Sequence, residues 1–290
     1  MDLVLPARLS ASCRNSPEAT EWLSRLPAVI RELQARWSLT LGSPYDNDEL
    51  SCAWVAPVTS ADGSAAVLKV SMPHFEAMHE IDGLRFWNGD PTVRLIDDDE
   101  GFGAMLLERC TPGRHLRGLR QEGEQDAVIA GLLRRLWRSP SAQHPFRPLS
   151  SLIARWTVET LTCSAQWSDA WLVREGLSVF DELSRTAKDS VLLATDLHAG
   201  NVLEAQREPW LVIDPKPFFG DPAFDATQHL LNCVGRLRAD PLGTIQRFAE
   251  LLGVDPRRVQ SWLFARLAAE PRSDWDRDES PRIARALAPS

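Results

Sequence analysis

The stretch from Val191 to Asp225, VLLATDLHAGNVLEAQREPWLVIDPKPFFGDPAFD, limits what this chain can fold into more than any other. Apolar residues lead into Asp196, Asn201 follows five positions later, and Val202 and Leu203 start a new apolar run. Gln206, Arg207, Glu208 and Pro209 read as a turn. Trp210 to Ile213 then form a strand that delivers Asp214 into a proline-rich bend. Two strands joined by a turn hold Asp196, Asn201 and Asp214 around one small volume. Asp, Asn and Gly mark ordinary turns in many chains. Apolar strands that end in correctly placed carboxylates are far harder to reach by accident.

That spacing suits phosphoryl transfer. An aspartate beside an acceptor hydroxyl orients it and takes its proton as the new bond forms. An asparagine carbonyl and a carboxylate are the oxygen ligands that a hard cation such as Mg2+ prefers. The order D-x-x-x-x-N and then I-D is also that of the protein-kinase catalytic loop and metal aspartate, with different flanking residues.

TDLHAGNVL, followed by PWLVIDPKPFFGDPAFDATQHLLN, resembles the aminoglycoside phosphotransferases, and within them the streptomycin 6-kinase and hydroxyurea phosphotransferase branch. The resemblance implies that Asp196 is the catalytic, acceptor-facing residue and that Asn201 and Asp214 are the metal ligands. Gly220, Asp221 and Asp225 match the G-D-x-x-x-D that usually follows in the family. Asp221 and Asp225 are expected to support the site structurally, as is the loop histidine His198. The family's usual His-Gly before the catalytic aspartate is Ala194-Thr195 here.

Upstream, AAVLKV (Ala65 to Val70) reads as a third strand carrying Lys69. Kinase-like folds hold the α and β phosphates of ATP with such a lysine, paired to a helical carboxylate. A helix from about Pro73 to Trp87 offers Glu80, the choice implied by the resemblance of HEIDGLRFWNGDPTVRLI, and Glu76 as its competitor. Gly42 to Leu50 takes the place of a phosphate-covering loop without a G-x-G-x-x-G, so Ser43 and nearby amides are the candidate phosphate donors. Leu106 to Cys110, with Glu108 and Cys110, reads as the hinge whose backbone meets the adenine edge.

A helix is expected from Pro17, capped by Ser16, with strands at Ser38 to Leu41, Ser51 to Val58, Pro91 to Leu95 and Phe102 to Glu108. After Pro112-Gly113 the pattern turns helical: Ala127 to Trp137, Leu149 to Ser164, Ser168 to Thr186, Ala223 to Leu237, Pro241 to Leu252 and Pro256 to Ala269. The fold class is α+β, a two-lobed protein-kinase-like fold. Residues 1–109 form a small sheet-rich nucleotide lobe and residues 110–290 a larger, mainly helical lobe for catalysis and substrate.

The net charge of −8 disfavours nucleic acid and anionic membranes as partners and favours a cationic small molecule. No apolar run reaches spanning length, and MDLVLPARLS lacks the pattern of a signal peptide. Five widely spaced cysteines without C-x-x-C speak for reduced thiols. A cytoplasmic monomer is expected. No G-x-S-x-G elbow or H-E-x-x-H supports a hydrolase.

The resemblance implies transfer of the γ-phosphoryl of ATP, with GTP as alternative donor, to a hydroxyl of a small polar antibiotic. The 6-hydroxyl of streptomycin is the acceptor it points to. Hydroxyurea, another small molecule, or a nucleotide-binding pseudokinase are the alternatives. Two guanidinium groups of streptomycin call for carboxylates. Glu270 and Asp274, in the acid-rich stretch that also holds Asp276, Asp278 and Glu279, are the candidate contacts, with Glu159 and Asp169 next.

Overall fold

The computed structural model describes residues 3–46, 52–187, 189–272 and 280–288. The chain divides into two compact units. One holds Met1–Gly113 and Glu204–Leu211, the other Arg114–Leu203 and Val212–Ser290.

The first unit is built on a five-stranded antiparallel sheet of order β1-β2-β3-β5-β4. Its strands are β1 (Thr40–Leu41), β2 (Ala53–Thr59), β3 (Ala65–Ser71), β4 (Leu95–Asp99) and β5 (Ala104–Glu108). Period-two alternation decides the two faces. Trp54, Ala56 and Val58 on β2, Ala66, Leu68 and Val70 on β3, and Ala104 and Leu106 on β5 share one core with Leu26, Ile30 and Leu33. The last three lie on α2 (Pro17–Arg36), which follows the short α1 (Ala7–Ser12). As expected, Ser16 caps α2, accepting from the Ala19 N–H at 3.1 Å, and Pro17 opens it. Lys69 lies between Leu68 and Val70, so it points to the opposite face.

Two elements differ from the sequence expectation. The helix expected from Pro73 is α3 (Glu80–Trp87); turns occupy the preceding residues, where Glu80 N donates to Ala77 O. Pro73 brings no helical donor to an entry already engaged locally, with the His74 ring bonded to Met72 O. The strand expected at Pro91 to Leu95 runs instead over Leu95–Asp99, through the acidic residues Asp97 to Asp99. Arginines stabilise those acids: Arg85 pairs with Asp98 at 2.8 Å, and Arg36 pairs with Asp99.

The second unit is mainly helical: α4 (Glu122–Leu136), α5 (Leu149–Thr162), α6 (Ala170–Arg185), α7 (Pro222–Leu231), α8 (Val234–Ala239), α9 (Pro241–Leu252), α10 (Pro256–Ala269) and α11 (Ser280–Leu287). The segment read as one helix from Ala223 to Leu237 is α7 and α8, broken at Asn232 and Cys233. Helix α10 is the hub, packed on α6, α7, α9 and α11. Its approach to α6 requires Gly176, where a Cβ would meet those of Ala268 at 2.7 Å and Ala269 at 2.9 Å. Trp262, Phe180, Phe224 and Trp156 fill the centre.

Two short ladders interrupt these helices. β6 (Val191–Leu193) pairs antiparallel with β9 (Phe218–Gly220), with Leu193 opposite Phe218. Between them in the chain, β7 (Val202–Glu204) pairs with β8 (Trp210–Val212). Among the described residues no helix is long and apolar enough to cross a membrane. The fold is α+β, with a sheet-rich first unit and a mainly helical second one.

Candidate active site

In the second unit, β6 leads to Asp196, β7 starts just after Asn201, and β8 runs out into Asp214. The ladders therefore bring the ends of separate strands together. Ile213 N donates to Asn201 O at 3.0 Å, which sets the Asp214 turn beside Asn201. Asn201 Nδ2 donates to Asp196 O at 3.0 Å. That bond fixes the amide and presents Oδ1 as an acceptor. Asp214 adopts a left-handed backbone, φ 52°, a conformation that Asp tolerates better than most side chains. An oxygen-only pair, amide carbonyl and carboxylate on adjacent turns, fits a hard divalent cation.

The Asp196 carboxylate is held on both oxygens. Lys216 Nζ forms an ion pair with Oδ2, and Gln228 Nε2 donates to Oδ1 at 2.7 Å. Backbone bonds also tie the two loops, from Lys216 N to Ala194 O at 2.8 Å and from Thr195 Oγ1 to Lys216 O at 2.6 Å. Thr195 sits at φ 50°, a strained value for a β-branched residue.

Asp225, 1% exposed, accepts from the N–H groups of Ala194 (3.0 Å) and Thr195 (2.7 Å) and from Trp137 Nε1 (3.0 Å). Burial pushes its carboxyl up to about 6, against the pull of these three donors and of Arg266. Asp221 caps α7 through the Ala223 N–H and also accepts from Arg258 and from Trp262 Nε1, joining α7 to α10. His198 Nδ1 accepts from Gly200 N at 3.1 Å. Burial holds that imidazole below its ordinary value, partly countered by Asp196. His115 Nδ1 bonds Gly200 O at 2.7 Å on the same loop.

In the first unit, Lys69 Nζ pairs with Glu80 Oε1 at 2.5 Å; the residues are 7% and 2% exposed. Glu76 lies in the turns before α3 and is half-buried. Ser43 is exposed on the segment after β1, where Gly42 N and Tyr45 N donate to Pro57 O and Val55 O. The Glu108 N–H donates to Arg94 O, and its carboxylate takes Arg207 at 2.9 to 3.3 Å. Burial would raise that carboxyl, but Arg207 and the Arg94 N–H outweigh it and hold it below its usual range. Cys110, half-buried, is pushed up to about 11 by burial and by Glu108.

Among the carboxylates considered for a cationic acceptor, Glu270 receives Arg266 on both oxygens, at 2.7 and 3.1 Å. Glu159 pairs with Arg155, while Asp169 caps α6 and pairs with Arg285. Asp274, Asp276, Asp278 and Glu279 lie outside the described residues.

Sequence reasoning gave no part to Lys216, Gln228 or Arg266. Lys216 had a signal, its place two residues after Asp214 in I-D-P-K. Gln228 had only its helical spacing of three from Asp225. Arg266 comes from a distant helix, and its placement depends on how α10 packs.

Comparison with known proteins places the chain in a family. The family model for aminoglycoside/hydroxyurea antibiotic resistance kinases matches residues 42–278. A streptomycin 6-kinase from Streptomyces glaucescens is 37% identical over 274 residues, 91% of this chain and 88% of that protein. A hydroxyurea phosphotransferase from Kitasatospora aureofaciens is 36% identical over 253 residues, 85% of this chain and 72% of that protein. A choline kinase structure from Streptococcus pneumoniae superposes with a TM-score of 0.65 at 13% identity, over 90% of this chain and 98% of that one, and shares the fold. The chain belongs to the aminoglycoside/hydroxyurea antibiotic resistance kinase family.

Proposed function

We propose that this protein is an ATP-dependent O-phosphotransferase that modifies streptomycin at its 6-hydroxyl and so confers resistance. The observation that carries the reading is the meeting of Asp196, Asn201 and Asp214 at the ends of β6, β7 and β8, in a chain 37% identical to a streptomycin 6-kinase. In the reaction the acceptor oxygen bonds to the γ-phosphorus as its proton passes to the Asp196 carboxylate. The bond from that phosphorus to the β–γ bridging oxygen breaks, and its electron pair leaves with ADP. Asn201 and Asp214 would hold Mg2+, which when bound supplies positive charge against the phosphates. Lys69, fixed by Glu80, is the proposed partner of the α and β phosphates. Ser43, Glu108 and Cys110 mark the proposed nucleotide surroundings, in which the Glu108 carboxylate acts through Arg207.

The acceptor's guanidinium groups are assigned to Glu270, whose side chain keeps 29% exposure beside Arg266, and to Asp274. The enzyme is taken as a monomer, and a reduced, cytoplasmic setting accords with five free cysteines. Hydroxyurea is the second acceptor reading, because a hydroxyurea phosphotransferase is 36% identical. Phosphate incorporation from labelled ATP should be compared across streptomycin, hydroxyurea and other small alcohols, for the wild type and for Asp196→Asn. Streptomycin labelled at the 6-position, with turnover cut by about two orders of magnitude or more in the variant, is the expected result. Selective labelling of hydroxyurea would replace the acceptor. Near-normal turnover by a folded Asp196→Asn protein would remove the catalytic assignment.

A further inference from the structure

Asp196 has two oxygens, and the one facing α7 is met by an amide. Gln228 Nε2 donates to Asp196 Oδ1 at 2.7 Å. The two ends of a glutamine amide are nearly identical in shape and opposite in hydrogen bonding. If the amide turned over, it would present a carbonyl oxygen to a carboxylate and repel it.

The neighbour of Gln228 removes that freedom. Arg266 Nη2 donates to Gln228 Oε1 at 2.8 Å, and a guanidinium has only donors. It therefore draws the oxygen end to itself and sends the NH2 end to Asp196. Arg266 is itself fixed. It is 4% exposed, donates to Thr227 Oγ1 at 2.8 Å, and lies 5.4 and 5.1 Å from the ring centres of Trp156 and Phe224. A cation so buried requires a counter-ion, and Glu270 supplies it from the next turn of the chain.

The same helix controls the Asp196 loop twice. Asp225 holds the backbone N–H groups of Ala194 and Thr195, and Gln228, three residues on, holds the carboxylate. All members of the chain Glu270, Arg266, Gln228 and Asp196 lie in the second unit.

We propose that Gln228, polarised by Arg266 and its counter-ion Glu270, is the positioning residue that orients the Asp196 carboxylate toward the acceptor hydroxyl. This inference rests on the reading of Asp196 as the acceptor-side catalytic group. Gln228 gains and loses no proton in the reaction; it holds Oδ1 while Lys216 holds Oδ2, and together they fix the plane of the carboxylate that receives the acceptor's proton. A carboxylate turned out of line leaves substrate binding intact and slows the transfer, and a displacement of about 1 Å can cost about 100-fold.

The test is a kinetic cycle on the full-length protein, with whichever of streptomycin and hydroxyurea the wild type phosphorylates. Gln228→Leu, at a half-buried site and compared at equal folded fraction by thermal melt, should lower kcat about tenfold or more while the KM for ATP stays within about twofold. Arg266→Lys, which keeps a donor for Oε1, should retain more kcat than Arg266→Met at equal folded fraction by thermal melt. If Gln228 acts through Asp196, adding Gln228→Leu to Asp196→Asn should change the residual rate little. Wild-type kcat in Gln228→Leu overturns the inference, and so does a full multiplicative loss in the double variant. Retained activity in Asp196→Asn alone overturns instead the catalytic reading beneath it, so the two failures are distinguishable.

Discussion

Asp225→Asn separates two physical effects that the Asp225 site combines. The wild-type carboxylate is 1% exposed and meets three donors, yet burial raises its pKa from 3.8 to about 6. A carboxyl whose folded value is raised contributes stability that is fully present below the unfolded value and is lost as pH rises through the folded one. The gap between 3.8 and about 6 corresponds to about 3 kcal/mol. Wild type should therefore lose about 3 kcal/mol relative to Asp225→Asn between about pH 4 and pH 7. At about 2 °C per kcal/mol for a chain of this size, that is roughly a 6 °C change in the Tm difference. Thermal melts at half-unit pH steps, followed through the tryptophan fluorescence, read this double difference directly. The asparagine keeps one acceptor for Ala194 and Trp137, but turns an NH2 group toward the Thr195 N–H. That donor is left unsatisfied, at about 1–3 kcal/mol, and the strand end leading to Asp196 shifts. Turnover should fall about tenfold or more at every pH, since Asp196 stands on that loop. A Tm difference that stays flat from pH 4 to 7 would refute the account of Asp225 as a buried, costly charge.

Three other outcomes follow from the structure. Asp214→Ala should abolish Mg2+-dependent nucleotide binding or turnover, checked by titrating Mg2+ at fixed ATP, because Asn201 alone offers one neutral oxygen. Glu270→Ala should raise the acceptor KM about tenfold, or about 1.4 kcal/mol, and should also lower kcat because Arg266 loses its counter-ion, with the ATP KM unchanged; steady-state kinetics decide it. His229 is the third case. Burial opposes its protonation, but Asp126 at 2.7 Å and Cys233 overcome this and raise it to about 9. Its stabilising share is thus complete below about pH 6.5 and is lost as pH rises to about 9, so His229→Gln should destabilise more at pH 6 than at pH 9 in thermal melts.

What could be read from the sequence was whatever is local. Ser16 and Pro17 announce a helix start because capping needs only neighbours. Asp196 and Asp214 declare themselves by following short apolar strands, and Asn201 by preceding one. Lys69 and Glu80 were paired on family resemblance, and their 2.5 Å contact depends on α3 beginning at Glu80, which the apolar pattern before it concealed. The acidic strand Leu95–Asp99 was illegible because its charges are met by Arg36 and Arg85, from distant parts of the chain. Gln228 and Arg266 were missed for a related reason. Neither residue type signals chemistry alone, and their meaning arises only when α7 and α10 pack so that an amide has a cation at one end and a carboxylate at the other.

Thr195 has a further consequence. This chain places a branched side chain in a left-handed turn and ties its hydroxyl to Lys216 O. With the Lys216 N–H on Ala194 O and the ammonium on Asp196, three bonds link the loop that carries Asp196 to the loop that carries Asp214. The two loops share one degree of freedom. A substitution that retuned one for a new acceptor would drag the other out of place, so this pair of loops is closed to gradual change. In this chain a change of acceptor would then fall to residues of the surrounding helices, with the two loops kept as a block.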